Sequence, residues 1–414
     1  MRLSNKHLEY AFLIFSTLLI IGIFNPHGRA LMSVGMIGII LCGLATKWLL
    51  NDKTKYSVGD YKVWFQFLPV FVLYAIGLFW TEDLAYGWDR VQVKLPFLAL
   101  PIGFVLMAPQ LSYSIIQKVL FLFAVACGVT ALGSLVNYAM HFEEINESYN
   151  HAKTLPVVIS HIRYSLLLTI SIAVSYRLYT DKFSWGFISY KVHVYMAVFI
   201  FIFLHILAVR SGLLAMYGSL IGVVVLQAFF QKKYSILLVI PALLIAGVTL
   251  YFLSPSLRNK AAYMKKDVGQ YTGGKNVNNY SDGNRLLSMQ IGWTIAKENI
   301  LLGVGSGDAK KVMDDYYIQN YPDISEENRL IPHNQFVYIL LVGGVVGLVI
   351  FLICLLLPLT SISVWKDIPM MVVIISVYSS FLSEATLEVQ HGVLLCSYIL
   401  GLVYLRMMVK NNEL

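Results

Sequence analysis

Charge is the scarcest commodity in this sequence: Asp, Glu, Lys and Arg together make up 13% of 414 residues, about half the share in a soluble domain. A chain with 58% hydrophobic residues and a mean hydropathy of +0.69 cannot keep that much apolar surface from water in one soluble core. Cysteine is scarce too. Cys42, Cys127, Cys354 and Cys396 all fall inside apolar runs, which excludes a disulfide scaffold or a cysteine zinc site and leaves four small buried hydrophobes. Internal repeats, low-complexity tracts and a separate soluble domain are absent. So are H-E-x-x-H, G-x-x-x-x-G-K-[ST], G-x-S-x-G and an Asp-x-Asp pair, so neither metal-driven nor ATP-driven chemistry has visible equipment, and no cofactor is expected.

What is present is length in apolar runs. Stretches of about 20 apolar residues fall near 10–24, 30–50, 63–80, 91–108, 114–139, 162–179, 190–208, 212–230, 234–253, 334–357, 368–385 and 390–409. The expected fold is an all-α polytopic membrane protein of about twelve transmembrane helices. Residues 1–253 supply nine of them and 333–414 the last three. Between them lies one long loop, 254–332, with short helices, all within a single integrated domain. The basic start Met1–His7 resembles a signal peptide, but Phe24-Asn25-Pro26-His27 leads straight into a second apolar run with no small-residue cleavage site, so the first span is expected to be kept.

Orientation follows from the short loops. Arg2, Lys6, Lys47, Lys53, Lys55, Lys62, Lys118, Arg177, Lys182, Lys191, Lys232, Lys233, Lys366, Arg406 and Lys410 fall on one side. Glu82, Asp83, Asp89, Glu143, Glu144, Glu147, Glu384 and Glu388 fall on the other. The basic side is cytoplasmic, which puts both termini inside and the long loop outside. The net charge of +8 is then a consequence of topology and requires no nucleic-acid partner.

The polar residues of interest collect at the outer ends of spans. Arg90 opens the fourth, Arg163 the sixth and His333 the tenth. Arg210-Ser211-Gly212 occupies the short turn between the seventh and eighth. Lys94, one helical turn from Arg90, faces either a partner or a cavity. Read alone, Arg210 is equally an interfacial arginine that snorkels to water.

Within the loop, Asn284–Glu298 has apolar residues at helical spacing, with Ser281 or Asp282 as N-cap and an apolar face suited to the membrane surface. Arg285 lies in its first turn, where the helix dipole disfavours a cation, which suggests a task for it beside the alternative of a solvated surface arginine. The run Gly303-Val304-Gly305-Ser306-Gly307-Asp308 reads better as a flexible turn than as a phosphate nest, since no strand precedes it. A lone histidine such as His333 is more often structural than catalytic. Three arginines beside it change that balance, because together they can bind a diphosphate and move a proton.

Arg210-Ser211-Gly212, Arg285 ahead of Gln290-Ile291-Gly292-Trp293, Gly303-Val304-Gly305-Ser306-Gly307, and His333-Asn334-Gln335-Phe336 leading into Gly343-Gly344-Val345-Val346-Gly347 make an ordered set around one loop. In that order and spacing the chain resembles the bacterial O-antigen ligases and the related polymerases that share their membrane domain, most clearly over 190–360. The resemblance implies a GT-C-type glycosyltransferase of the inner membrane. It would move a glycan from undecaprenyl diphosphate to a lipid A-core sugar (ligase) or to another lipid-linked repeat (polymerase) at the periplasmic face. His333 is then the expected base, and Arg210 and Arg285 the diphosphate ligands. Arg90, Lys94, Arg163, Ser211 and Gly305 are expected to contact substrate. The rival from another class is a flippase or transporter, but transport sites lie near the bilayer midplane and these residues cluster at one face.

Overall fold

A computed structural model describes residues 5–49, 61–150, 154–253, 255–273, 278 and 280–413. Arg2, Lys53 and Lys55, counted above on the cytoplasmic side, lie outside the described residues. The named helices are α1 (Asn5–Ile23), α2 (Arg29–Leu49), α3 (Leu68–Ile76), α4 (Leu84–Lys94), α5 (Pro96–Met107), α6 (Tyr113–Met140), α7 (His161–Thr180) and α8 (Val192–Leu207). They continue as α9 (Arg210–Gln231), α10 (Val239–Leu253), α11 (Pro255–Thr272), α12 (Ser281–Glu298), α13 (Ala309–Asn320), α14 (Gln335–Leu356), α15 (Ile368–Ser383) and α16 (Gln390–Lys410).

Each of the twelve apolar stretches coincides with a helix. Among the described residues, seven helices are long and apolar enough to cross a membrane: Asn5–Ile23, Arg29–Lys47, Leu84–Gln110, Tyr113–Met140, Arg210–Gln231, Gln335–Leu356 and Gln390–Lys410. Leu68–Trp80, Val192–Leu207, Tyr234–Thr249 and Ile368–Ser383 are apolar but shorter. The chain is an all-α, multi-pass membrane protein. The fourth span begins earlier than its hydropathy suggests, at Leu84, because Asp83 caps α4 by accepting from the Tyr86 N–H at 2.9 Å. Arg90 and Lys94 therefore lie within that span and do not open it.

Helices α7, α9 and α15 pack against one another, and α16 is buried from Gly392 to Val409. Near its far end the buried Arg406 pairs with Asp367, while Lys410 and Arg177 hold Asp181 at 2.8 and 3.0 Å. Three of the cations assigned to one side by the loop bias thus find counter-ions at one end of the bundle, two of them sharing Asp181. His161 begins α7 and Arg177 closes it, so the features described next sit at the opposite end.

The loop region folds back onto the bundle. Helix α12 buries Leu287, Ile291 and Ile295 against α14, so its apolar face is used inside the protein, and neither Ser281 nor Asp282 caps it by side chain. The cap is Asp267 of α11. This buried carboxylate accepts from the Asp282 and Gly283 N–H groups at 2.8 and 2.7 Å.

Helix α14 is broken at Gly344, whose φ of +60° sits in the left-handed region, and a Cβ there would come within 2.2 Å of the Leu301 carbonyl oxygen. The break frees backbone groups that the segment 300–305 takes up. Val345 N–H donates to Ile300 O at 2.8 Å, and Val304 and Gly305 N–H donate to Leu341 and Val342 O at 2.9 and 3.0 Å. An interrupted membrane helix requires such replacement partners. The glycine run is therefore a backbone splice, neither a phosphate nest nor a plain turn. Asp308 extends it by accepting from the Glu82 and Asp83 N–H groups, each at 2.9 Å.

Candidate functional site

Beneath α11 and α12 lies a cavity of about 880 Å³ whose floor is the packed end of α7, α9 and α15. Arg210, Ser211, Arg285 and His333 all line it, with His161, Tyr263, Asp267 and Asp282. Arg210 and His333, 123 positions apart in sequence, are thus brought together. The local chain explains each placement. Helices α8 and α9 are joined through only Ala208 and Val209. Ala208 takes a left-handed φ of +50°, so Arg210 emerges as the first residue of α9 at the cavity wall. Gly212 lets α9 close on α7, since a Cβ there would meet Ser165 Cβ at 2.2 Å.

His333 is held from two sides. Its backbone N–H donates to Ser288 Oγ at 3.3 Å, and that hydroxyl donates to the Arg285 carbonyl at 2.7 Å, which ties α12 to the chain entering α14. The His333 ring places Nδ1 3.1 Å from the Ile331 carbonyl oxygen. A carbonyl only accepts, so Nδ1 carries the proton and Nε2 keeps its lone pair. Burial lowers the His333 pKa; the Ile331 bond opposes this, Arg285 and Arg163 add to it, and Glu384 opposes it. The two residues that follow are structural. Asn334 Oδ1 caps α14 by accepting from Phe336 and Val337 N–H at 3.0 and 3.1 Å, and the buried Gln335 accepts from Leu387 N–H at 2.7 Å.

The cavity is electrostatically mixed. Arg210 Nη2 lies 2.9 and 2.8 Å from the two carboxylate oxygens of Asp282, and Arg285 Nη1 is 4.0 Å from one of them. The first-turn placement of Arg285 is thereby compensated by carboxylates at the same helix end. Arg163 pairs with Glu384 at 3.2 Å next to this region without lining the cavity.

The other expected contacts are elsewhere. Lys94 is fully buried, donates to Glu388 Oε2 at 2.7 Å and stands 4.1 Å over the Tyr74 ring, while Tyr74 donates to the other carboxylate oxygen at 2.6 Å. Arg90 donates to the Glu388 carbonyl at 3.1 Å. Lys94 thus faces a partner and not the cavity. Gly305 spends its N–H on the splice and packs on Thr81 and Gly77, also outside the cavity. Removing one member of a buried pair leaves an uncompensated charge. Lys94→Met is expected to destabilise the protein by about 3–5 kcal/mol, read as a lower unfolding midpoint in detergent. Lys94→Met/Glu388→Gln should recover most of that loss, and no recovery would show that the pair is not the cause.

Sequence reasoning took Asp282 for a cap and Glu384 and Glu388 for loop charge, and passed over Asp267 altogether. The available signal was charge balance: several arginines at one end of a membrane bundle need carboxylates at that same end.

The fold and site define a multi-pass membrane protein with a cation-lined cavity covered by helices between its ninth and tenth apolar helical segments. Residues 195–352 match the model of the O-antigen ligase family, and over that segment the chain is similar to it. The matched segment contains Arg210, Arg285 and His333 and excludes Arg90, Lys94 and Arg163. No curated protein matches the chain.

Proposed function

We propose that the protein is an O-antigen ligase that transfers a glycan from undecaprenyl diphosphate to a lipid A-core sugar hydroxyl at the periplasmic face of the inner membrane. The observation that carries this reading is the convergence of Arg210, Arg285 and His333 on one cavity inside the family-matched segment. In this reading twelve helices cross the membrane, both termini are cytoplasmic, and 254–332 is periplasmic. The donor already contains a good leaving group, so the protein must hold departing diphosphate charge and take one proton.

The acceptor oxygen attacks the anomeric carbon, forming the new glycosidic bond with inversion. The bond from that carbon to the phosphate oxygen breaks, and its electron pair leaves on the diphosphate. His333 Nε2 takes the hydroxyl proton. Arg210 and Arg285 bind the diphosphate oxygens, with the Ser211 hydroxyl beside them, and Arg163 contributes positive potential from behind. Neither metal nor cofactor takes part. Arg90, Lys94 and Gly305 hold the scaffold.

Deleting the gene in its bacterium and extracting surface and carrier-linked glycans tests the assignment. Loss of a ligase leaves long polymer on the lipid carrier and bare lipid A-core. Lipid A-core capped with a single repeat would instead make the protein a polymerase joining lipid-linked repeats, and unchanged glycans in both fractions would overturn glycan transfer.

A further inference from the structure

The best-formed ion pair in the cavity is internal to it. The Asp282 carboxylate lies between the two guanidinium groups, bonded to Arg210 and 4.0 Å from Arg285. Its backbone is fixed independently, because the Asp282 and Gly283 N–H groups donate to the buried Asp267. Rotation of one short side chain is therefore enough to release Arg210, without moving a helix. The pair is also a weak one, since the Arg210 side chain is 47% exposed and water screens it. Next to it, Ser211 Oγ is buried with no hydrogen-bond partner among the described residues, and no side chain caps the N-terminus of α9. Donors for a second anion thus stand beside a guanidinium already engaged by a first.

The geometry points to Asp282 as the exchangeable counter-ion of the donor site: its carboxylate competes with the diphosphate for the same Arg210 N–H donors. This rests on the donor-site reading above and adds a function for the carboxylate. Transfer turns a diphosphate diester into a monoester, which gains an ionisable oxygen and is held more tightly by two guanidinium groups. A carboxylate tethered between them competes for those groups and speeds release of the product. Asp282 therefore lowers donor affinity in exchange for turnover.

The test is binding of undecaprenyl diphosphate to the full chain in lipid nanodiscs, for wild type, Asp282→Asn and Arg210→Gln. Asparagine keeps the shape and removes the charge, so Asp282→Asn should bind about three- to tenfold tighter. It should also show a lower donor KM and stronger inhibition by added undecaprenyl diphosphate. Arg210→Gln should bind more weakly than wild type. Equal or weaker binding by Asp282→Asn overturns the exchange and makes Asp282 a residue that positions Arg210. Asp282→Ser repeats the comparison with a different neutral side chain if the asparagine variant unfolds. Failure of the wild type to bind undecaprenyl diphosphate at all overturns the donor-site reading itself, and the two failures are thereby told apart.

Discussion

His333→Ala is expected to lower turnover by about 10²- to 10⁴-fold, the range for loss of a general base, with binding of undecaprenyl diphosphate retained. The second half of that expectation separates a base from a ligand. His333 is joined to the scaffold through its backbone N–H and through Nδ1, so the remaining ring nitrogen is the one able to accept a proton. Its pKa is lowered first by burial and further by Arg285 and Arg163, against the raising effects of the Ile331 bond and Glu384. The sign matters for the pH profile. The base works as neutral imidazole, and a lowered pKa keeps it neutral to lower pH than a free histidine, whose value is about 6.5. The acid limb of kcat/KM should therefore lie below that value, with activity lost as pH falls through it. A variant turning over within a few-fold of wild type, or an acid limb above the free-histidine value that vanishes on some other substitution, would remove His333 from this role.

Hydropathy made the helices legible because lipid imposes one rule on every crossing segment: the backbone must satisfy itself, and the side chains must be apolar. That rule is local in sequence, so the apolar stretches could be found one at a time. It is silent about where helices end. Asp83 starts the fourth span early by capping α4, and nothing in mean hydropathy encodes a cap.

The candidate site was partly legible for a related reason. Arg210 and His333 are costly residues at the margins of apolar runs, and cost marks them out; Arg285 stands out instead as a cation in the first turn of a helix. Their counter-ions were not legible, because pairing is decided by tertiary geometry. Lys94 and Glu388 are 294 residues apart, and Asp282 resembles an N-cap until Asp267 is found holding the helix end in its place. The glycine run misled in the same way. Its positive φ values serve a backbone splice to α14, which the run itself gives no means of anticipating.

Arg210→Lys is the second large expected effect, because it keeps the charge and changes only its shape. The guanidinium of Arg210 emerges from the first turn of α9 at the wall of the cavity, and one of its nitrogens already reaches both oxygens of a carboxylate. A diphosphate offers oxygens in a comparable spread, and a planar fork can bridge two of them while its remaining N–H groups reach a neighbour. An ammonium is a compact, strongly hydrated point charge that engages fewer of these oxygens at a time. Losing one charge-assisted hydrogen bond of about 1.5–3 kcal/mol corresponds to a fall of about 10- to 100-fold in kcat/KM. Folding should be nearly unchanged, since the Arg210 side chain is half exposed and an exposed pair contributes at most about 1 kcal/mol. Purified Arg210→Lys should thus share the thermal unfolding profile of wild type while transferring glycan slowly. Full activity would mean that charge alone is required at this position, and would take from Arg210 its place as the fork that grips the leaving diphosphate.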